Sequence, residues 1–448
     1  MSQTVDENAA IPEREKKSED VDTNPTGVST TPVPKEQPIP APSQSAPPEG
    51  GTQAWLTVAG AWLVQFCTFG YSNAFGVYQD FYVREYLTNH TSSEISWIGS
   101  MQVMLVLSLG LFTGQLYDRG YFHHLMIGGS VLFAFCLFML SLSHPNQYYQ
   151  VFLSQGLGVG LAIGMTYIPS LGVISHYFQR RRALVMGIAA SGSSLGGVIH
   201  PIMLNKLFHG PSGFQKGVRY SAAMNLILLF IANCLMRTRL PPRKGGNMFA
   251  GTSAFARDPP YVLAVMGAFL VILGLFFPIF FLQLDAITHN LDPNFAFYSL
   301  AILNAASVFG RVIPSLIAQT TGVFNTIVVC TAICGILVFS MFGVTTVGAV
   351  IVFAILFGFF SGAYVSLLAP MLTSLARDVT EIGSRMGICY TFTGIGSLVG
   401  TPIAGALLTP TNMWWRPIIF SGTTMTVGAG FLLAARMLVA ARKGKRAV

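Results

Sequence analysis

Long apolar runs dominate the chain from residue 54 onward, and they do not alternate with polar positions as strands of a membrane barrel do. Each run approaches or exceeds the roughly 20 residues that an α-helix needs to cross a bilayer. The pattern therefore predicts an all-α membrane protein with twelve transmembrane helices. The predicted spans are 54–79, 94–117, 122–143, 148–178, 181–205, 217–236, 260–284, 295–318, 322–343, 347–376, 383–407 and 414–440.

The first 53 residues have a different pattern. They hold half of the Asp and Glu residues of the chain and many of its prolines, with almost no aromatic side chains. Such a segment buries too little apolar surface to offset its chain entropy. We therefore predict a disordered tail over 1–53. It lacks the apolar core of a cleaved signal peptide, so the first span is expected to act as the insertion signal.

Composition agrees with a membrane protein. The 448 residues are 52% hydrophobic and only 10% charged, against about 25% charged residues in soluble domains. This balance excludes a soluble enzyme and a disordered regulator. A formal net charge of +8 could indicate a nucleic-acid partner. The distribution of the basic residues along the chain argues against this, and we expect no nucleic-acid partner.

The basic residues divide unequally between the two sides of the predicted bundle. If both termini are cytoplasmic, the inner loops and C-terminus carry sixteen Lys and Arg. The outer loops carry only Arg84, Lys206, Lys216, Arg219 and Arg416. This bias fits an even number of spans with both ends inside. We therefore expect an integral, multi-pass protein that is surrounded by the lipid bilayer, and we expect that bilayer to be the plasma membrane.

Short motifs recur about 200 residues apart. Met186-Gly187-Ile188 returns as Met386-Gly387-Ile388, and Gly158, Gly196, Pro169 and Pro201 have counterparts at Gly358, Gly396, Pro370 and Pro402. Two six-helix, pseudo-symmetric halves are typical of carriers that work by alternating access around a midplane site. We predict an N-terminal half at 54–236, a cytoplasmic linker at 237–258, a C-terminal half at 259–440 and a basic C-terminus at 441–448.

Charged turns lie at the predicted cytoplasmic ends of spans 2 and 5. An Asp–Arg pair flanked by glycines can close a tight turn, and its carboxylate can contact a helix N-terminus or a basic neighbour. Such a contact would break when the halves rock. The alternative is a pair of ordinary charged turns. The candidate gating residues are Gly114, Asp118, Arg119, Arg180, Arg181 and Arg182.

Arg311 is the one charged residue that the pattern places deep within a span. A central arginine costs about 2.5–3.5 kcal/mol on insertion scales, so it should face a cavity or a partner. Helical spacing puts Asn304, Ser307 and Ser315 on its face. Because a guanidinium stays charged and can hold a carboxylate with two hydrogen bonds, we expect Arg311 to bind a substrate anion. The alternative is a structural arginine bonded to backbone carbonyls.

Other polar side chains lie in otherwise apolar spans, and each alone is more often a satisfied core group than a ligand. Together they are candidates for the cavity lining. The predicted substrate-binding set is Arg311, Asn304, Ser307, Gln65, Asn73, Tyr167, Gln283, Tyr364 and Tyr390.

No catalytic motif in the sequence lies in the secondary structure that its chemistry requires. Gly192-Ser193-Ser194-Leu195-Gly196 fits a nucleophile elbow literally, but it lies within an apolar helix instead of between a strand and a helix. Neither a zinc motif nor a phosphate-binding loop is present. We therefore expect a protein that is not an enzyme and has no cofactor and no metal.

Three motifs carry a family resemblance. Glu49-Gly50-Gly51-Thr52-Gln53-Ala54-Trp55 precedes the first span, Tyr177-Phe178-Gln179-Arg180-Arg181-Arg182-Ala183-Leu184 precedes the fifth, and Asn304–Arg311 lies in the eighth. Together with the Gly114–Gly120 turn, they resemble the major facilitator superfamily, and within it the monocarboxylate-transporter-like family in its fungal branch. The resemblance implies the major facilitator fold, transport of an organic solute and a substrate-anion contact at Arg311.

The chain departs from the animal lactate carriers at two positions. Ser307 stands where those proteins have an aspartate one turn before the arginine, and Val77 aligns with their lysine in helix 1. Both losses argue against lactate and against the proton relay of those carriers. A proton is nevertheless retained as a candidate coupling ion, with Asp80 and Asp285 as alternative groups.

The sequence therefore predicts a secondary transporter, specifically a symporter, for a monocarboxylate or related organic anion. One alternative is a carrier or exporter of an uncharged or larger metabolite, riboflavin-like or secondary. Another is a nutrient sensor with the same fold that transports nothing.

Overall fold

A computed structural model describes residues 47–240, 255–376, 382–408, 413–445 and 447–448. The predicted tail up to residue 46 and most of the predicted linker lie outside the described residues. Within those residues, eleven continuous helices are long and apolar enough to cross a membrane. We number them α2 to α12: Glu94–Asp118, Phe122–Leu140, Tyr148–His176, Arg182–Phe208, Gly213–Leu235, Pro259–Thr288, Pro293–Thr321, Val323–Gly343, Val347–Leu375, Ile382–Leu408 and Trp415–Lys443.

The first span, α1, is helical but broken. It consists of three successive helices, Thr52–Cys67, Phe69–Ser72 and Phe75–Phe81. At the first break the Thr68 hydroxyl donates to the Val64 carbonyl at 2.6 Å, a bond that often bends helices. The predicted span 54–79 is therefore helical but interrupted at two points.

The start of α2 has a capping box. Glu94 N–H donates to Thr91 Oγ1 at 3.2 Å, and Thr91 N–H donates to Glu94 Oε2 at 2.8 Å. Two backbone donors at the helix end are thereby satisfied.

The outer surface of the bundle is apolar. Large hydrophobic side chains on four outer helices are more than half exposed, as expected where lipid tails replace water. Examples are Val131 on α3, Phe230 on α6, Ile336 on α9 and Val352 on α10.

Helix neighbours repeat along the chain. The pairs α1–α5, α1–α6, α2–α4, α3–α4 and α3–α6 recur as α7–α11, α7–α12, α8–α10, α9–α10 and α9–α12. Helices α1–α6 and α7–α12 therefore form two sets with the same internal arrangement. The sets meet chiefly where α5 contacts α8 and where α2 contacts α11.

We call the surface where α1 begins and α12 ends the terminal face, and the other surface the opposite face. Small residues let the helices approach closely. A Cβ on Gly196 of α5 would lie 2.5 Å from the Phe66 carbonyl oxygen of α1. Gly160 of α4 packs in the same way on α2, where its Cβ would lie 3.1 Å from Gln102 Cα. Because these glycines let the helices approach closely, polar side chains of different helices can contact each other.

Candidate functional site

Arg311 lies at the junction of α5 and α8, and only 5% of it is exposed. Its Nη1 donates to the Ala190 carbonyl at 3.0 Å and to Ser193 Oγ at 2.6 Å. Its Nε is 3.5 Å from Ser307 Oγ, which also accepts a bond from Ser194 at 3.0 Å. Among the described residues no carboxylate pairs with Arg311, and none of its bonds uses Nη2.

Tyr167 of α4 and Tyr390 of α11 form a second wall near this arginine. Their rings meet edge to face with centroids 5.9 Å apart, and Phe69 packs on Tyr167 at 5.5 Å. Both tyrosines are buried, and both interact electrostatically with the Arg311 guanidinium. The Tyr390 hydroxyl faces that of Tyr167 and has no closer hydrogen-bond partner among the described residues. A guanidinium and two tyrosine hydroxyls therefore lie in one region between the two helix sets.

Asn73 of α1 and Asn304 of α8 meet over Gly197 of α5. A Cβ on Gly197 would lie 2.7 Å from Asn304 Oδ1 and 3.1 Å from Asn73 Nδ2. Asn73 lies at the second break of α1, where the helix stops after Ser72. The structure therefore brings three elements together around two amide side chains.

Asn73 borders a cleft that lies toward the opposite face. Its volume is about 30 Å³, room for water but not for a metabolite. Its lining residues are Asn73, Gly76, Val77, Asp80, Pro201, Ile202, Asn205, Gln283, Phe297, Leu300 and Ala301. The predicted residues Asn73 and Gln283 thus line one cleft, and Asn73 also lies beside Asn304 across Gly197.

Two other predicted substrate ligands are used for packing in this conformation. Gln65 donates to Ser170 Oγ at 3.1 Å, and Tyr364 donates to the Ala268 carbonyl at 3.2 Å. Both side chains are buried. His200 is likewise buried between α1 and α5, with Nε2 3.1 Å from the Phe66 carbonyl oxygen.

The predicted gating turn contacts the other helix set. A Cβ on Gly114 would lie 2.9 Å from the Gly383 carbonyl oxygen, and a Cβ on Gly383 would collide with the Asp118 carboxylate. Because α11 begins at Ile382, this carboxylate lies at a helix N-terminus, where a negative charge is favourable. Arg119 is exposed beside it. The end of α2 thus closes against the start of α11.

The arginines before α5 are held by the first motif of the chain. The Glu49 carboxylate accepts backbone N–H bonds from Gln179 at 2.7 Å and from Arg180 at 2.6 Å, with Arg181 N–H at 3.4 Å. Partial burial alone would raise the pKa of Glu49, but these bonds outweigh it and hold that pKa below its ordinary value.

An aromatic contact accompanies this bond. The Trp55 ring packs edge-on against Phe178 at 5.5 Å, and Arg182 Nε is 3.4 Å from the Phe178 carbonyl oxygen. The motifs around Glu49 and Arg180 are therefore two sides of one contact at the terminal face.

Besides Arg311, which lies deep within a span, charged residues at the ends of spans are also buried. Arg385, counted with the inner loops, is 2% exposed, and it pairs with Asp258, which is 4% exposed, at 2.9 Å. Periodicity missed them because each lies at the end of a span, where charged residues are normally solvated. The available signal was the position of Arg385 inside the predicted span 383–407.

Two sets of packed transmembrane helices, with polar side chains gathered between them, define a multi-pass membrane carrier. The chain matches the family model of the Major Facilitator Superfamily over residues 61–347. It belongs to that superfamily, and it is a secondary transporter and not an enzyme.

Curated relatives from fungi resemble most of the chain. The "Aspyridones efflux protein apdF" of Emericella nidulans is 38% identical over 405 residues, which cover 90% of this chain and 82% of that protein. The "MFS-type transporter dbaD" of the same organism is 40% identical, with 86% of each chain covered. The "Agnestins efflux protein AgnL12" of Paecilomyces divaricatus is 39% identical, with 89% and 91% covered. The relatives therefore favour the predicted alternative of a metabolite exporter over a monocarboxylate carrier.

Proposed function

We propose that this chain exports an organic secondary metabolite by alternating access, and that Arg311 binds an electron-rich oxygen of the substrate. The observation that carries the proposal is a buried arginine between the two helix sets with no carboxylate partner among the described residues. The names of its relatives support efflux, since two of them are called efflux proteins of fungal products.

The surroundings of Arg311 favour a substrate with rings and carbonyl or hydroxyl groups. Tyr167, Tyr390 and Phe69 offer aromatic surface, which packs well on planar rings. Asn73 and Asn304 offer amide donors and acceptors on the side toward the cleft. A site that combines apolar surface with a few placed polar groups is typical of small-molecule pockets.

Alternating access is supported by the difference between the two faces. The terminal face is closed by contact between α2 and α11, whereas the cleft at the opposite face is lined by both helix sets. We infer that the cleft widens when the substrate leaves and that the α2–α11 contact opens when the substrate enters. If the termini are cytoplasmic, this direction is export.

Export against a gradient needs a coupling ion, for which a proton is the candidate. Asp80 pairs with Arg84 at 2.7 Å on an exposed surface. Asp285 is buried in α7, 3.4 Å from His289 Nδ1, and its Oδ2 has no partner among the described residues. Ionisable groups inside a membrane mark ion pathways more often than packing positions, so Asp285 is the better candidate.

Replacing Asp285 with Asn tests this role. In proteoliposomes we expect Asp285→Asn to retain substrate exchange at equal pH on both sides but to lose its acceleration by a pH gradient. Asp80→Asn, the matched control, should keep that acceleration. A pH gradient that still drives transport by Asp285→Asn would remove Asp285 from the coupling mechanism.

The function itself is tested by a metabolite screen on purified protein in proteoliposomes, with and without a pH gradient. Flux of an aromatic polyketide or a related fungal product is expected. Competition then tests the chemistry at Arg311, because a carboxylic or enolic substrate should compete and its amide or methyl ether should not. Flux of short monocarboxylates alone would favour the organic-anion carrier instead.

A further inference from the structure

A buried charge cluster lies at the terminal face, away from the site around Arg311. Asp258, immediately before α7, accepts a bond from Arg385 Nη1 at 2.9 Å on one carboxylate oxygen and from Arg442 Nη1 at 2.6 Å on the other. Asp258 and Arg385 are 4% and 2% exposed, whereas the Arg442 side chain is half exposed. The cluster therefore ties the starts of α7 and α11 to the end of α12.

Aromatic rings enclose the Arg385 guanidinium. Its central carbon lies 4.6 Å from the Phe255 ring centre and 5.0 Å from the Tyr261 ring centre. Tyr261 also donates its hydroxyl to the Arg385 carbonyl at 2.7 Å. Burial alone would raise the pKa of Asp258, but the two arginines outweigh it and keep that pKa below its usual value. Removing one partner of such a buried pair leaves the other uncompensated.

The cluster lies next to the closing contact between the helix sets. Arg385 lies in the first turn of α11, two residues after Gly383. Gly114 and Asp118, near the end of α2, both contact Gly383. The position of this turn thus depends on Asp258 within one helix set and determines a contact with the other set.

The first helix set has a related contact that is built differently. Glu49 precedes α1 as Asp258 precedes α7, but it bonds backbone amides of the α4–α5 turn and interacts with the side chains of Arg180 and Arg182 only electrostatically. Val185 stands 200 residues before Arg385, in the matching turn of α5. Among the described residues, a buried acid–arginine salt bridge therefore stands beside the α2–α11 junction and not beside the α5–α8 junction, which suggests a role in closing the former.

We propose that Asp258 and Arg385 are a positioning pair, which holds the first turn of α11 under the end of α2 and sets how stably the terminal face stays closed. The proposal rests on the alternating access proposed above. It assigns neither residue a contact with substrate. When the pair is broken, the first turn of α11 should no longer be held in position. Conformations that are open at the terminal face should then become more populated.

Labelling of an added cysteine by a water-soluble maleimide measures how accessible each face is. Each variant carries one added cysteine, at one of the two faces. The purified protein is held in nanodiscs, so the maleimide reaches both sides. Asn205→Cys lies in the cleft of the opposite face. Leu111→Cys lies within the α2–α11 contact, where a Cβ on Gly387 would be 2.6 Å from Leu111 Cα. The chain without an added cysteine gives the background labelling.

With Asp258→Asn, we expect labelling of Leu111→Cys to rise by about tenfold relative to Asn205→Cys, within the usual range of conformational coupling. Arg442→Gln is the matched control, because it removes the exposed partner of the same carboxylate, and it should leave the ratio nearly unchanged. Arg385→Lys, which keeps the charge but not the planar guanidinium, should give an intermediate ratio and is the second variant if Asp258→Asn fails to fold.

An unchanged labelling ratio in folded, monodisperse Asp258→Asn protein would overturn the proposal, as would an equal change with Arg442→Gln. A merely structural role would lower the melting temperature without shifting the ratio between the two faces. Because labelling needs no substrate, this outcome is separate from a failure of the transport assay, which would count against the proposed function.

Discussion

At the scale of single residues, two buried tyrosines differ in their hydrogen bonds. The Tyr364 hydroxyl donates to the Ala268 carbonyl, whereas the Tyr390 hydroxyl is bonded to no backbone group among the described residues and faces the Tyr167 hydroxyl. A hydroxyl that is not tied to the backbone can exchange its neighbour for a substrate oxygen, so we expect Tyr390, and not Tyr364, to be a ligand.

This difference makes a matched pair of variants informative. Tyr364→Phe should lower the unfolding free energy by about 1 kcal/mol, the usual net value of a hydrogen bond, and leave the KM for substrate unchanged. Tyr390→Phe should keep or slightly raise stability but increase KM. Melting temperatures and flux in proteoliposomes measure both. Equal KM values for the two variants would exclude Tyr390 as a ligand.

Glu49 gives a prediction that depends on pH. Its pKa lies below the ordinary value of 4.5 in the folded chain, so its stabilising effect is present above that pH and is lost as pH falls toward the lowered value. Glu49→Gln should therefore lower the melting temperature at pH 7, and the difference from the unchanged chain should shrink below about pH 4. A difference that stays constant down to pH 3 would show that the carboxylate charge is not responsible.

Residue patterns predicted that Arg311 lies buried within an apolar span, as it does, and its role as a substrate ligand stays a prediction. They did not predict that its Nη1 is bonded to α5, since that bond joins residues more than a hundred positions apart. They also missed Asp258 and Arg385, because a charge at the end of a span is buried or solvated according to helices that are distant in sequence.

At the scale of elements, glycines decide which helices meet. The contact of α2 with α11 is the clearest case: a Cβ on Gly387 would lie 2.6 Å from Leu111 Cα and 2.8 Å from the Gly110 carbonyl oxygen. These atoms belong to backbone, which cannot turn aside as a flexible side chain can.

Gly387→Ala should therefore prevent full closure of the terminal face and reduce transport strongly, while membrane abundance stays near normal. Gly430→Ala in α12 is the control, since a Cβ there meets nothing within 4 Å, and alanine favours helix by up to about 1 kcal/mol. Flux per unit of inserted protein is the measurement. Normal flux in Gly387→Ala would show that this close approach is not needed for the cycle.

The spans themselves were predictable from hydropathy, because a bilayer fixes the length of an apolar helix. The breaks in α1 were not predictable, since they arise from a local side-chain bond at Thr68 and from the packing of α1 on α5 through Gly70 and Gly196. The second break places Asn73 at the cleft, so the irregularity lies where the proposed substrate path needs a polar group.

At the scale of the whole molecule, the repeat of about 200 residues corresponds to a repeat of helix neighbours. The sequence therefore predicted both the fold and the superfamily. The exact boundaries of the two halves stay a prediction, because residues 241–254 of the predicted linker lie outside the described residues.

The substrate class was less predictable. Glu49 bonds the backbone of the Arg180 turn, so this motif positions helices and does not identify the solute. The motifs indicated a monocarboxylate branch that the relatives do not specifically support. Ser307 in place of the acid of lactate carriers was the better indication, and the efflux names of the relatives agree with it.

In the proposed function, this transporter moves an organic metabolite through a site built on Arg311. The most direct test compares flux of the best metabolite from the screen in proteoliposomes that contain the unchanged chain or Arg311→Gln, at equal amounts of folded protein. The unchanged chain should transport it, and Arg311→Gln should lose at least about tenfold, as expected when a charged hydrogen bond worth about 1.5–3 kcal/mol is removed. Undiminished flux through Arg311→Gln would contradict the proposal that Arg311 binds the transported metabolite.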